Sequence, residues 1–408
     1  MEVLYPRCAG LDVHQQTVVA CVRVADGARV ETHVRTVGTT TGDLLALSDW
    51  LGEYGCTHVA MESTGVYWKP VWHVLEGQVT LVLANAMQIR NVPGRKSDTN
   101  DAAWIADLLA HGLIRSSFVP PTPIQELRDL TRTRKQLVRE VSQHTLRLQK
   151  VLEDANLKLT SVLSDVLGLS GRAMLTAIIA GETDPERLAD LSQGRLKASR
   201  PAVIAALRGA VTAHHRFLLR LHLTHIQTLE AVIREVESHL GDTLAPFRAA
   251  VDRLLTIPAV GETVARVIVA EIGVDMTRFP TVGHLISWAG LCPRLHESAG
   301  KRLSTRTRPG NAWLKTTLVQ VAWVAARTRN TYLRAQFLRL KSRRGPKKAI
   351  LAVAASILTA AYYILKNDAT YHDLGADHFE RRDKAQIAKR LVQRLEDLGL
   401  VVEIKPAA

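Results

Sequence analysis

The order of strand-like and helix-like segments in the first 110 residues restricts this region to a mixed sheet covered by helices. Short segments rich in apolar and β-branched residues, separated by polar breaks, predict strands, and apolar residues at helical spacing predict helices. Three strands come in succession before helices and strands alternate, which is typical of an α/β domain. The predicted elements are strands at 8–14, 18–24, 30–37, 58–62 and 79–83 and helices at 41–54, 67–75 and 98–111.

Two long helices, at 124–159 and 217–240, are predicted beyond this region. Apolar residues of the first follow a seven-residue repeat, interrupted by Arg134 and His144. Two interpretations stay open. The helices form a coiled-coil arm, within one chain or between copies, or they belong to an ordinary helical subdomain.

The rest of the chain is predicted to be mostly helical. Residues 254–273 look like two helices joined by a Pro-Ala-Val-Gly turn and resemble a helix-hairpin-helix, with Ala259 in place of its usual first glycine. The uncharged segment 349–365 is short for a membrane span, so we expect a buried helix and a soluble protein. The predicted organisation is an α/β domain at 1–123, a helical arm at 124–245, a mostly helical domain at 246–370 and a tail at 371–408.

The charge balance predicts a polyanionic partner. Lys and Arg number 53 against 39 Asp and Glu, a formal net charge of +14. Between Arg294 and Lys348 lie fifteen basic residues and one acid, Glu297, which favours contact with a nucleic-acid backbone over a merely solvated face. The four cysteines are scattered without a CxxC pair, and no signal-peptide pattern opens the sequence. These features argue against a zinc ribbon or a disulfide framework and fit a reducing cytoplasm.

Four carboxylates stand at the ends of predicted elements. Asp12 ends the first strand in AGLDVH, Glu62 ends the fourth in VAMESTG, and Asp98 and Asp101 open a helix in GRKSDTNDA. The two helical acids have an alternative role as caps. Acids at the ends of apolar strands cost desolvation energy unless something pairs with them, and Mg²⁺ prefers such oxygen ligands. The pattern therefore predicts a metal cluster that activates the attacking oxygen and stabilises the leaving oxygen in a reaction at a phosphodiester.

The segments GLDVH, MESTGVYW and GRKSDTNDA resemble the DEDD transposases of the Piv/MooV type, insertion-sequence family one-ten. IPAVGETVARVIVAEIG and SWAGLCPRLHESAGKRLSTRTRPGNAWLK resemble that family's C-terminal domain. The resemblance implies a RuvC-like (RNase H-like) first domain whose acidic quartet is Asp12, Glu62, Asp98 and Asp101, with Mg²⁺, or alternatively Mn²⁺, as the cofactor.

The resemblance also implies a nucleophilic serine, Ser298, in the segment HESAGK. Ser304 is a nearby rival, and Ser298 has an alternative role as a plain loop residue. The basic residues expected to contact nucleic-acid phosphates are Arg95, Lys96, Arg294, Lys301, Arg302, Arg306, Arg308 and Lys315.

Members of this family move an insertion sequence by recombination between donor and target DNA, guided by a structured non-coding bridge RNA. The resemblance therefore implies both DNAs, such an RNA and a homo-oligomer, a dimer of dimers, as partners. One rival function is a metal-dependent nuclease of the junction-resolvase kind in which Ser298 is idle. The other is a non-catalytic nucleic-acid-binding protein whose acids are only helix caps.

Overall fold

The computed structural model describes residues 2–27, 29–63, 65–85, 89, 101–194, 196–293, 296–304, 306–382 and 384–403. The chain divides into two compact units, 1–119 and 120–408.

The first unit contains a five-stranded sheet with the order β3-β2-β1-β4-β5. Strands β1 to β3 are antiparallel, whereas β1, β4 and β5 run parallel. The predicted mixed sheet is thereby confirmed, with element ends within about two residues of those expected except at the last helix. The elements are β1 Arg7–Val13, β2 Thr17–Asp26, β3 Arg29–Gly38, α1 Thr41–Glu53, β4 His58–Glu62, α2 Trp68–Leu75, β5 Thr80–Ala84 and α3 Asp101–Ala110.

Helices cover both faces of this sheet. Leu44 and Leu47 of α1 and Val71 of α2 pack against one face, which carries Leu11 and Met61. Helix α3 covers the other face, where it contacts β1, β2 and β4. Successive residues of a strand point to opposite faces, so the residues of β1 under α3 are the even-numbered ones.

The second unit is mostly helical. Its helices are α4 Thr122–Asp154, α5 Leu159–Val162, α6 Leu169–Ala180, α7 Pro185–Asp190, α8 Arg200–Ala206, α9 Ala213–Thr243, α10 Arg248–Leu254, α11 Glu262–Ile272, α12 Val282–Trp288, α13 Ala312–Ala325, α14 Tyr332–Arg344, α15 Pro346–Asn367, α16 His378–Arg382 and α17 Lys384–Glu396. Short 3-10 helices lie at Ala245–Phe247 and Met276–Arg278, and two strands, β6 His296–Ser298 and β7 Lys301–Ser304, form a hairpin.

The long helices α4 and α9 pack against each other in antiparallel orientation. Arg134 pairs with Glu237 at one end (N–O 2.6 Å), and Asp154 meets His215 near the other (3.0 Å). The expected pairing of long helices thus occurs within one chain. In α4, buried side chains lie only near the two ends. Whether the pair acts as a coiled-coil arm, and whether 123 and 245 are domain limits, stays a prediction.

Helix α15 is the one helix among the described residues that is long and apolar enough to cross a membrane. Its buried side chains include Val353, Ile357 and Leu358. It contacts α10, α12, α13 and α14. These contacts make it a core helix, as the sequence predicts.

Candidate active site

Asp12 and Glu62 lie at the carboxyl ends of neighbouring parallel strands. The register of β1 and β4 pairs Leu11 with Met61, and each acid is the next residue in its strand. Adjacent strands are about 4.8 Å apart, so the two acids stand side by side. Their even numbers place both on the sheet face that α3 covers, and each is half-buried.

Asp101 begins α3 at the same edge of the sheet. A Cβ on Gly10 would lie 2.2 Å from the Ala102 carbonyl oxygen and 2.4 Å from the Ala106 nitrogen, so α3 contacts the backbone of β1 directly. Further back along the strand, the Cys8 thiol donates to the Ala106 carbonyl at 3.5 Å. Helix α3 therefore runs opposite to β1, and its first residue points toward the strand end that carries Asp12.

An ion pair also connects α3 to the sheet. Arg23 of β2, whose side chain is 8% exposed, lies 3.3 Å from Asp107 of α3. His111 Nδ1 then donates to the Asp107 carbonyl oxygen at 2.8 Å, one turn further along the helix. Because the Asp107 side chain is 47% exposed, this pair adds little to stability, and the close backbone contact at Gly10 is the main constraint on where α3 lies, and with it Asp101.

The described acids do not by themselves form a closed metal cage. Asp12 Oδ2 accepts a hydrogen bond from His14 Nε2 at 3.1 Å, and the Asp12 side chain remains 25% exposed. Within the described ranges, no three His, Cys, Asp or Glu residues stand close enough to hold one ion. Asp98, the fourth predicted acid, and the neighbouring Arg95 and Lys96 lie outside the described residues.

Ser298 is the last residue of β6, immediately before a tight turn. Ser298 pairs with Lys301 across the hairpin. Between them Ala299 (φ 47°) and Gly300 (φ 73°) both adopt left-handed conformations, as in a type I′ turn. Arg294 and the side chains of 296–298 and of Arg302 lie outside the described part. The backbone thus places Ser298 at the tip of the hairpin.

The segment that follows the hairpin is tied to the helical unit. Lys315 Nζ donates to Thr307 Oγ1 at 2.7 Å, and Pro293 forms a bridge with Thr307. Burial lowers the Lys315 pKa. Lys315, which we predicted to contact phosphate, therefore also anchors this segment. The rival serine, Ser304, accepts a hydrogen bond from the Arg306 amide at 3.2 Å, which gives it a structural role.

A fully buried acid, Glu271 of α11, joins three elements of the second unit. Arg132 of α4 donates to its carboxylate in a bidentate pair, at 2.8 and 2.9 Å. Asn311, which caps α13, donates to it at 2.5 Å. Arg128 Nε lies 3.5 Å away, and burial lowers the Arg128 pKa to about 10. The sequence analysis did not predict this cluster. An acid inside the apolar run VIVAEIG could have indicated that Glu271 is buried and bound by cations.

Two family models match the chain, one over the first unit and the beginning of the second, the other within the second unit. Residues 9–157 match a DEDD transposase of the IS110 type, and residues 251–338 match the transposase family IS116/IS110/IS902. The chain belongs to the IS110 family of DEDD transposases. Comparison with curated protein sequences gave no match. The first match spans the four predicted acids and the second spans Ser298, so both candidate chemical groups of this DNA transposase fall within the family's own domains.

In the transposase, helices α10 and α11 are joined by a turn in which Ala259 has φ 71°. This is the conformation that glycine favours, so the alanine at this position retains the left-handed backbone despite its Cβ. The binding of phosphate by this turn stays a prediction.

Apart from the half-buried Lys315, the predicted phosphate contacts whose side chains the structure describes lie on an exposed surface after Ser298. Lys301, Arg306 and Arg308 are all exposed. A second exposed basic group lies where α14 ends and α15 begins, at Lys341, Arg343, Arg344, Lys347 and Lys348. The transposase therefore presents two basic surfaces in its second unit, which suits contact with a nucleic-acid backbone.

Proposed function

We propose that this transposase cuts and rejoins donor and target DNA with a carboxylate cluster, Asp12, Glu62, Asp98 and Asp101, and a serine nucleophile, Ser298. The observation that carries the proposal is the placement of three acids at one edge of the sheet. Asp12 and Glu62 end adjacent parallel strands, and Asp101 begins the helix that covers the same face at the same edge. Carboxylate oxygens at one sheet edge are the ligands that a divalent cation such as Mg²⁺ prefers.

The donor set fits Mg²⁺ and also Mn²⁺. Carboxylate oxygens are hard ligands, which these ions prefer over the nitrogen and sulfur ligands of zinc sites. When bound, the ion would supply Lewis-acid stabilisation of charge on the phosphate oxygens. Asp12, Glu62 and Asp101, joined by Asp98, would hold it, and His14 would orient the Asp12 carboxylate through their hydrogen bond.

Ser298 would form and break the covalent bond to DNA. Its Oγ attacks phosphorus, an Oγ–P bond forms, and the bond from phosphorus to the deoxyribose oxygen breaks. The serine proton leaves to a base, and the released deoxyribose oxygen takes up a proton. Reversal with a hydroxyl from a second strand rejoins the DNA. The tip position of Ser298 supports this role because it lets a backbone as bulky as duplex DNA approach.

Comparison of Ser298→Ala with Ser304→Ala tests the nucleophile. Each protein is incubated with labelled donor and target DNA, denatured in detergent and run on a gel. We expect covalently attached DNA for the parent and Ser304→Ala proteins and none for Ser298→Ala. Strand rejoining by Ser298→Ala without a covalent adduct would instead support the nuclease alternative, with the serine idle.

Replacement of the acids tests the metal cluster separately. We expect Asp12→Asn and Glu62→Gln to lose DNA cleavage in Mg²⁺ and in Mn²⁺. Glu53→Gln, at the exposed end of α1 in the same unit, is the matched control and should cleave normally. Cleavage by both site variants at the parent rate would leave the acids as helix caps or surface charges and contradict the proposal.

We also propose a structured bridge RNA as a guide. The formal charge of +14 and the two exposed basic surfaces support a second polyanion beside DNA. The test is to express the transposase with its flanking DNA, purify it and sequence the bound RNA. A defined RNA able to pair with donor and target is expected, and recombination that survives complete RNase treatment before assembly would rule the guide out.

A homo-oligomer, a dimer of dimers acting in the cytoplasm, completes the proposal, since recombination joins two duplexes. Apolar side chains on the α4–α9 pair remain outward, among them Leu146 (66% exposed) and Phe217 (52%), which supports association of copies. Light scattering of the complex with nucleic acid should give the mass of four chains. A mass of one chain throughout recombination would contradict this part.

A further inference from the structure

A cavity of about 320 Å³ lies within the second unit, away from the Ser298 hairpin. Helices α4, α11 and α13 form its walls, with Leu240 of α9 at one side. Cavities of this size hold small organic ligands. Two properties of the lining restrict which ligand fits.

The first property is positive charge. Arg134, Lys135, Arg139 and Arg266 all line the cavity. Arg134 is paired with Glu237, and Arg266 is paired with Glu262. The two remaining cations of the lining are Lys135 and Arg139.

Neither of these two, Lys135 or Arg139, forms an ion pair in the part of the chain that the structure describes. Lys135 Nζ donates to the hydroxyls of Thr316 and Thr317, each at 3.1 Å. Arg139 lies 5.3 Å over the ring of Trp313. Burial lowers the Lys135 pKa, and Arg139 lowers it further. An anion in the cavity would relieve the repulsion between them.

The second property is a combination of apolar and hydrogen-bonding groups beside the cations. Val138, Val264 and Val267 provide apolar surface. Thr263 and Gln320 add groups that can donate and accept hydrogen bonds. In addition, Arg266 Nε is buried without a hydrogen-bond partner among the described residues. The ligand must therefore carry an anion, a flat or apolar body and polar edges.

We propose that this cavity binds a single nucleotide, with its phosphate against Lys135 and Arg139 and its base among Val138, Val264 and Val267. A nucleotide has the anion, the flat body and the polar edges, and it belongs to the polymer class on which a transposase acts. Two sources share this chemistry: a free mononucleotide and a nucleotide turned out of a strand. The inference depends on neither the metal cluster nor Ser298.

The test is to titrate the full-length transposase with AMP, CMP, GMP and UMP and to measure binding by isothermal titration calorimetry. We expect saturable binding by the parent protein. Arg139→Gln should weaken it about tenfold or more, since hydrogen bonds to charged groups are the strong ones. Thr263→Trp, at an exposed position on the rim, should block it. Arg147→Gln removes the same charge two turns along α4, outside the cavity, and should bind as the parent does.

Photocrosslinking distinguishes the two sources. Oligonucleotides containing 4-thiouridine are irradiated with each protein, and the crosslinked peptides are identified. Crosslinks to α11 or α13 that Thr263→Trp abolishes support a strand nucleotide, whether or not mononucleotides bind. Saturable mononucleotide binding without such crosslinks supports the free nucleotide. The proposal is overturned if neither is seen, if the cavity variants behave as Arg147→Gln does, or if inorganic phosphate or an acidic peptide binds as tightly as the nucleotides.

Discussion

Gly10 and Ala102 approach so closely that no side chain fits between them: a Cβ on Gly10 would lie 2.2 Å from the Ala102 carbonyl oxygen. Asp101, the residue before Ala102, is one of the proposed metal ligands. The absence of a side chain at position 10 thus lets α3 lie directly on β1 and brings its acid to the strand end that carries Asp12.

Gly10→Ala should therefore displace α3. We expect a loss of about 1–3 kcal/mol in the free energy of unfolding from overpacking, together with a loss of DNA cleavage. Urea denaturation and the cleavage assay measure the two effects. Gly42→Ala is the matched control, because nothing lies within 4 Å of its new Cβ, and it should be neutral or slightly stabilising. Equal behaviour of the two variants would show that the contact has no importance.

Glu271→Gln should be strongly destabilising. The amide would leave the largely buried guanidinium of Arg128 and the half-buried one of Arg132 without their carboxylate, at a cost of about 3–5 kcal/mol. Glu262→Gln, which breaks the more exposed ion pair with Arg266, should cost less than about 1 kcal/mol. Chemical denaturation of both variants checks the difference. Comparable small losses would mean that the buried cluster adds nothing to stability.

Ala299→Gly should stabilise the hairpin that carries Ser298. Alanine at φ 47° is strained, and relief of that strain outweighs the added freedom of glycine in the unfolded chain by about 0.5–1 kcal/mol. Because the hairpin can open without global unfolding, hydrogen exchange of its amides is the appropriate measurement. Ala299→Val should speed the exchange. Faster exchange in the glycine variant would contradict the left-handed turn.

The pair His144 and His222 should make stability fall in mild acid. Their Nδ1 atoms are 3.2 Å apart, which requires one protonated and one bare nitrogen. Burial lowers the pKa of both below the ordinary 6.5, so the unfolded chain binds protons first as the pH drops. The contribution of the two histidines to stability is then fully present above about pH 6.5 and is lost as the pH falls toward their pKa values in the folded protein.

Denaturation midpoints between pH 8 and pH 5 measure this dependence. His222→Gln should flatten the decline, whereas His239→Gln, further along the same helix and outside the pair, should keep the parent slope. A parent slope in both variants would assign the decline to other groups.

Local patterns were sufficient for much of the fold. The strands ending at Asp12 and Glu62 could be predicted because apolar periodicity is a property of neighbouring residues. That both acids share a sheet face was not predicted and follows from the register of β1 and β4, which pairs Leu11 with Met61. The predicted start of the last helix, at Asp98, lies outside the described residues, and the quartet as a metal site stays a prediction.

Long-range contacts could not be predicted in this way. Glu271 is bound by Arg132, 139 residues away, and nothing near either residue in the sequence identifies the other. The role of Gly10 depends in the same way on the distance of closest approach between a strand and a helix that follows ninety residues later. The cation-lined cavity is likewise formed by side chains from four helices. Such features arise from packing, and one sequence carries little information about them.

The shared carboxylate of Glu271 has a mechanical consequence for the hairpin. Asn311 cannot move away from α11 without giving up a hydrogen bond to a buried charge, so the start of α13 and the long helix α4 are coupled through one side chain. The stretch between the hairpin and Asn311 is held as well, since Lys315 binds Thr307 and Pro293 forms a bridge with it. A substitution at Glu271 should therefore be felt at the base of the hairpin, although the two are far apart in the sequence.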